Sequence, residues 1–418
     1  MSIREEIINQ AKKAKEASFK LANINTNDKN RALQMVAEGL ECNVELILKE
    51  NEKDLKKAKD ENMSKAFIDR LSLSRKRIKQ MANGVREVAD LDDPVGDIIE
   101  MKNRPNGLKI GKMRVPIGVI GIIYEARPNV TVDAAVLCLK SGNSVILRGG
   151  SSAINSNKVL QKIISQNLVK AGLPEGSVQL IQTTNREAVK ELMSLNQYLD
   201  LLIPRGGAEL INRVVNESKI PVIQTGVGNC HIFVDKTANL KNAVDIIVNA
   251  KTSRPAVCNA AESLLIHQDI ANNFIPMLAD ILDDLDVEIR GDKVAVKLAD
   301  NIVEAKKSDW GKEYLDYIIS LKIVKNIDEA VEHINKYGTK HSEAIITENY
   351  TNSQKFLNEV DAAAVYVNAS TRFTDGGQFG MGAEIGISTQ KMHARGPMGL
   401  KELTTNKYVI YGQGQIRE

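Results

Sequence analysis

From residue 115 the chain alternates short apolar runs rich in Val and Ile with stretches of helical periodicity, and this alternation restricts it to parallel sheets flanked by helices. PIGVIGIIY (116–124) begins the first series; a helix is predicted over 130–141, Gly142 closes it, and SVILR (144–148) is the next strand. A helix over 154–171 ends at Gly172, and VQLI (178–181), YLDLLIP (198–204), a helix from Ala208 and PVIQ (221–224) carry this unit to residue 228. The second series reads HIFV (231–234), a helix over 240–252, SLLIH (263–267), a helix over 271–284 and IISLKIV (318–324). The helix IDEAVEHINKY (327–337) and the strands AIIT (344–347) and AAVYVN (363–368) follow. NKYVIYGQ (406–413) reads as a lone strand left after both series are complete, a segment that invites pairing with another subunit. Upstream, Ile3, Ile7, Ile8, Ala11, Ala14, Ser18 and Leu21 keep three-to-four spacing, so residues 3–90 read as helices.

Composition removes several classes of function. Lys and Arg total 56 against 53 acidic residues, so the net charge of +3 gives no general attraction for a phosphate backbone or an anionic membrane. Aromatic residues at 4% are too few for a base-stacking platform, and no nucleic-acid partner is expected. The runs KENEKDLKKAKDE (49–61) and SRKRIK (74–79) read as solvated helix faces rather than contact patches. The N-terminus lacks an apolar secretory core, and the longest charge-free apolar run, Val115 to Tyr124, is half a membrane span, so a soluble cytoplasmic protein is expected. Cys42, Cys138, Cys230 and Cys258 lie far apart without a CxxC or a Cys/His cluster, which predicts free thiols and no metal. His333 and His341 lack a third ligand nearby and read as structural or pocket histidines.

Neither common nucleotide motif occurs. No G-x-G is followed by a glycine three residues later, and there is no Walker loop. Two glycine turns stand instead where strands meet helices, LRGGSS (147–152) and IPRGGAEL (203–210). Ligands of open parallel sheets bind outside the strand carboxyl ends, and Arg148 and Arg205 would suit a phosphate there; tight turns bearing surface arginines are the competing reading. Among the thiols, Cys138 has core spacing and Cys42 has nothing near it to suggest a role. Cys230 adjoins His231, but neighbours on a strand face opposite ways. Cys258 lies in TSRPAVCNAAE (252–262), a polar connection with Arg254 between a helix and a strand, the accessible and electropositive setting a reactive thiolate needs.

Taken in order, VPIGVIGIIYEARPNVTVDAA (115–135), KSGNSVILRGGSSA (140–153), IPRGGAELI (203–211) and SRPAVCNAAE (253–262) resemble the aldehyde dehydrogenase superfamily. VKNIDEAVEHINKYGTKHSEAI (324–345) and FTDGGQFGMGAEIGIST (373–389) extend the resemblance, and YGTKHSEAI marks a branch that reduces an acyl phosphate. It implies two Rossmann-like open α/β domains with a small β oligomerisation element: 1–97 with 116–228 binding NADPH, 229–385 carrying the nucleophile, and 98–115 with 398–418 joining subunits in a homo-oligomer. It implies Cys258 as nucleophile and Asn129, with the Cys258 backbone N–H, as oxyanion donors. Arg148, Ser151 and Ser152 would meet the cofactor's adenosine ribose and 2′-phosphate, Arg205, Gly206 and Gly207 its pyrophosphate, and Glu313 its nicotinamide ribose. Arg254 and Asn259 flank the thiol as candidates for gripping substrate, with helix capping or surface exposure as the competing reading. The implied reaction is NADPH-dependent reduction of L-glutamyl 5-phosphate to L-glutamate 5-semialdehyde with release of phosphate through a Cys258 thioester. That is the second step of proline biosynthesis from glutamate, with transient hand-over of substrate from glutamate 5-kinase. Where ordinary members carry a glutamate that activates hydrolytic water, this chain has IQTGVGN (223–229), which suits a reductase. An aldehyde-oxidising dehydrogenase and a non-catalytic binding protein of the same fold are the alternatives.

Overall fold

The computed structural model describes residues 2–417, so positions 1 and 418 of the domain expectation lie outside it. The described chain divides into two compact units: residues 2–224, 380–386 and 398–417 form one, and residues 225–379 and 387–397 the other.

The first unit begins with helices Ile3–Leu21, Thr26–Cys42, Val44–Asp60, Lys65–Leu71 and Arg75–Asp90. Their starts follow from polar caps: the Ser2 hydroxyl takes the Glu5 N–H while Glu5 reaches back, and Asn25, Ser64 and Ser74 cap three of the others. A four-stranded parallel sheet follows, ordered Val178–Leu180, Ser144–Arg148, Val119–Tyr124, Leu201–Arg205. Its central strand opens at Val119, three residues later than its apolar run. Gly118 adopts φ +131°, and Asp200, held by Lys15 at 2.8 Å, accepts the Val119 N–H at 2.8 Å. PVIQ does not form a strand: Pro221 has no N–H, and only Val222 bridges to Leu202. Nor is the C-terminal strand alone. Thr404–Tyr411 pairs antiparallel along all of Lys109–Pro116, which also pairs with Ile98–Asn103.

The second unit is built on a seven-stranded parallel sheet in the order Ile302–Glu304, Glu288–Gly291, Ile318–Val324, Ala261–His267, Cys230–Val234, Ser342–Ile346, Ala364–Val367. Its inner strands are buried on both faces and read as unbroken apolar runs, as central parallel strands should. Helices Leu240–Thr252 and Gln268–Asp283 cover one face through Ile247, Phe274, Ile275 and Leu278; helix Ile327–Tyr337 covers the other with Phe233, Leu265 and Phe356. Two open parallel sheets with flanking helices is the architecture the alternating pattern predicts. No described helix is long and apolar enough to cross a membrane.

Candidate active site

Open parallel sheets hold ligands outside their carboxyl ends where the strand order reverses. In the first unit that point is the end of Val119–Tyr124, flanked by both glycine turns. Gly149 is required by packing, since a Cβ there would stand 3.1 Å from the Tyr124 ring, and one on Gly206 would stand 2.7 Å from the Glu125 carboxyl carbon. Arg148, at the end of its strand, is 9% exposed and donates to the Gly149 and Thr184 carbonyls at 3.0 and 3.3 Å, while its Nε is buried without a partner. Burial, and then the charge of Arg186, push this guanidinium below its ordinary value. A buried cation with an unspent N–H and a second cation beside it suits a phosphate.

The two helix starts beside this point differ. Helix Ala208–Glu217 opens on Gly207 with no side-chain cap, which leaves its first N–H groups to a ligand. Helix Ile154–Lys170 is closed instead: the buried Asp54 carboxylate accepts the Asn155 and Ser156 N–H groups at 3.2 and 2.8 Å. Of the LRGGSS turn, this leaves Arg148, the half-buried Ser152 and the exposed Ser151 to face a ligand. Asn129 is exposed on its helix and gives one amide N–H to Asp133 at 2.9 Å. Burial raises the Asp133 carboxyl to about 6 against the pull of Asn129 and Arg205. The cradle therefore fits a dinucleotide phosphate at Arg148 and at the Gly206–Gly207 turn.

In the second unit the carboxyl end of the reversal point is filled by protein. Asp235 accepts from Thr347, Thr237 and Asn352 at 2.7, 3.0 and 3.0 Å. Cys258 lies at the amino end of the middle strand, Ala261–His267, in a half-buried loop that precedes it. The peptide at Gly228 lies directly on this loop, and a Cβ there would overlap the Cys258 carbonyl and stand 2.7 Å from its Cα. Gly228 donates its N–H to Glu313 Oε1 at 2.7 Å, so the segment without a carboxylate of its own receives one from elsewhere in the chain. Burial raises the Glu313 carboxyl, eased by that N–H and by Lys251.

The other thiols separate cleanly. Cys230 is fully buried, with Sγ 3.2 Å from the Cys258 carbonyl and 3.8 Å from His341 Nδ1; burial holds its thiol protonated, well above the usual value. Its histidine contact is His341, because His231 turns away to Glu343 at 3.0 Å. Cys138 is buried among apolar side chains and also raised, and Cys42 is exposed on a helix. Of the two residues expected to grip substrate, Arg254 is exposed beside the thiol, but Asn259 is 6% exposed and spent. Its amide donates to the Thr374 and Arg372 carbonyls at 2.9 and 3.3 Å, and its oxygen accepts from the Arg372 guanidinium. In this chain Asn259 braces Arg372. Arg372, Arg186 and Asp54 carry no motif in the sequence; the one signal for Arg372 is a polar loop after the last sheet strand. Among the described residues no cluster of His, Cys, Asp and Glu could hold a metal.

A half-buried thiol in a polar loop before the middle strand of one parallel sheet, with glycine turns and a buried arginine at the strand ends of the other, agrees with the family that the chain matches. Residues 2–298 match the aldehyde dehydrogenase family model, and the chain belongs to that family. Within it, the chain is similar to the gamma-glutamyl phosphate reductase of Halothermothrix orenii, at 63% identity over 100% of both chains. The crystal structure of gamma-glutamyl phosphate reductase from Thermotoga maritima superposes with a TM-score of 0.97 at 53% identity, covering 99% of this chain and 100% of that one. An acetylating aldehyde dehydrogenase from Geobacillus thermoglucosidasius, 18% identical, shares the fold with a TM-score of 0.71, over 100% of this chain and 98% of that one.

Proposed function

We propose that this protein is an NADPH-dependent reductase that converts L-glutamyl 5-phosphate to L-glutamate 5-semialdehyde and phosphate, the second step from glutamate to proline. The observation that carries it is Cys258: among four thiols it alone is half-buried in a polar, cation-flanked loop, in a chain similar along its whole length to reductases of that name.

The Cys258 thiolate attacks the acyl carbon. A C–S bond forms, the tetrahedral carbon collapses, and the C–O bond to phosphate breaks with its electron pair leaving on phosphate. The Cys258 backbone N–H and the Asn129 amide are assigned to the oxyanion. A bound nicotinamide dinucleotide supplies the hydride that takes the thioester to the aldehyde level. Arg148, Ser151 and Ser152 hold its 2′-phosphate side, Arg205, Gly206 and Gly207 its pyrophosphate, and Glu313 its ribose. The thiohemiacetal then breaks its C–S bond, and Cys258 returns as thiolate without consuming water. In this reading the protein acts in the cytoplasm as a homo-oligomer and receives its unstable substrate from glutamate 5-kinase.

The test uses the reverse reaction, phosphate-dependent reduction of NADP+ by the semialdehyde. Cys258→Ser is expected to lose activity by about a thousandfold or more, and Cys230→Ser to lose little. Near wild-type activity in Cys258→Ser would sink the covalent mechanism. NADP+ reduction that needed no phosphate would favour an aldehyde-oxidising dehydrogenase, with the Glu313 carboxylate as a candidate for activating water.

A further inference from the structure

Arg372 is held in place yet only partly used. Its Nε donates to the Ser253 hydroxyl at 3.1 Å, and one terminal nitrogen donates to Asn259, the residue after the nucleophile. That hold is itself braced, because the Thr371 hydroxyl donates to the Asn259 carbonyl at 2.8 Å and Asn259 donates back to the carbonyls of residues 372 and 374. The other terminal nitrogen makes no hydrogen bond among the described residues, and Arg372 forms a wall of a cavity of about 340 Å³ with Asn249, Ser253, Phe373, Asp375 and Gln378. Arg254 lies close enough that its charge, after burial, is the main influence pushing the Arg372 guanidinium below its ordinary value; Cys258 and then Asp375 oppose it. Asp375 also lines this cavity, and its Oδ1 accepts the Gly377 and Gln378 N–H groups of its own turn at 2.9 and 3.3 Å, so one carboxylate stands against two guanidinium groups.

Two guanidinium groups against one carboxylate, one of them tied to the residue that follows Cys258, keep a net positive charge and make a seat for an anion. We propose that Arg372, seconded by Arg254, binds the phosphoryl group of the acyl phosphate and stabilises it as it leaves. This rests on the reductase reading above. The substrate's α-carboxylate is the other anion available, and two features disfavour it. It comes with an α-ammonium group that a pair of arginines would repel. It also lies at the far end of the substrate from the carbon that Cys258 attacks, whereas the phosphate is bonded to that carbon, and Arg372 is tied to the residue next to Cys258. In the forward direction the C–O bond breaks and the leaving oxygen gains charge facing Arg372; in the reverse direction the same seat holds inorganic phosphate as it attacks the thioester.

The experiment measures the reverse reaction with inorganic phosphate varied at saturating semialdehyde, and then the converse. Arg372→Gln is expected to raise KM for phosphate about ten- to hundredfold while leaving KM for the semialdehyde within about twofold, the loss typical of hydrogen bonds to a charged group. Arg372→Lys should fall between, keeping charge without the fork. Arg254 is exposed, so Arg254→Gln folds and carries the test alone if Arg372→Gln does not; a rise in phosphate KM of severalfold is expected. A rise confined to the semialdehyde KM would assign the pair to the α-carboxylate and overturn the proposal, as would unchanged phosphate KM in both Gln variants. Failure of the reductase reading looks different, because the wild-type protein would then reduce NADP+ without phosphate or not at all.

Discussion

Cys258 owes its position to a residue that offers no side chain. Gly228 brings the backbone onto the Cys258 peptide and hands its N–H to Glu313, so any Cβ at 228 must push the Cys258 carbonyl away. Gly228→Ala is therefore expected to lower kcat by about a hundredfold, a displacement effect of the kind a misplaced reacting group produces, and to cost about 1–3 kcal/mol of stability from overpacking. Steady-state kinetics and a denaturant midpoint on the same sample check it; unchanged kcat with a lowered midpoint would show that the loop relaxes without moving the thiol. That Cys258 differs from the other thiols in setting was legible, since polar neighbours, a nearby arginine and a loop are all visible in a few residues, and it is half-buried where Cys138 and Cys230 are fully buried. Arg372 was not legible, because its partner Asn259 stands 113 positions away along the chain and no periodicity links the two. The hydrogen bonds that hold Asn259 are hidden for the same reason. A polar residue beside a nucleophile looks available until the loop that consumes its hydrogen bonds is seen.

Elements with a strong period announced themselves, and those without one did not. SVILR, IISLKIV and IDEAVEHINKY form a strand, a strand and a helix over those residues, since each is bounded by turn or cap residues and has one consistent pattern. Ile98–Asn103 is exposed at every position, so no alternation marks it, and Glu288–Gly291 and Ile302–Glu304 are too short to show one. The cap that Asp54 puts on helix Ile154–Lys170 joins elements distant in sequence and left no local trace. The same holds for Asp361, which gathers Lys340, Lys391 and Arg395 at 3.1, 3.1 and 2.6 Å and so ties the segment 387–397 to its unit. Arg395 first, and then the two lysines, hold this carboxyl well below its usual range despite some burial. A carboxyl lowered on folding adds stability above its unfolded value of about 3.9 and loses it as pH falls through the folded one. Asp361→Asn should therefore cost about 1 kcal/mol at pH 7, a modest figure because the lysines are solvent-screened, and the deficit should shrink as pH drops below about 4. Denaturant titrations of both proteins at pH 7 and pH 3 measure it, and a deficit independent of pH would show that packing, not charge, was lost.

At the scale of the whole molecule, the three-stranded sheet is what a single chain leaves unfinished. Thr404–Tyr411 uses one edge on Lys109–Pro116 and leaves the other without a strand, and its side chains are largely exposed, Tyr408 by 67%, Ile410 by 60% and Tyr411 by 61%. Ile98, Ile99 and Met101 are exposed on the opposite edge strand. A small sheet with apolar side chains on its surface and open edges is marginal by itself and a template for pairing. Net charge supplies no long-range repulsion against such pairing, at +3 over 418 residues. If the proposed homo-oligomer forms through this sheet, replacing Tyr408 and Ile410 together by Glu places like charges at the contact of two identical surfaces. Light scattering should then give the mass of one chain where the parent gives more. Circular dichroism should stay near that of the parent, since neither side chain is buried in the chain itself. A variant that keeps the parent's mass would place the subunit contact elsewhere, and a parent that is already a single chain would mean that this apolar surface stays open to solvent.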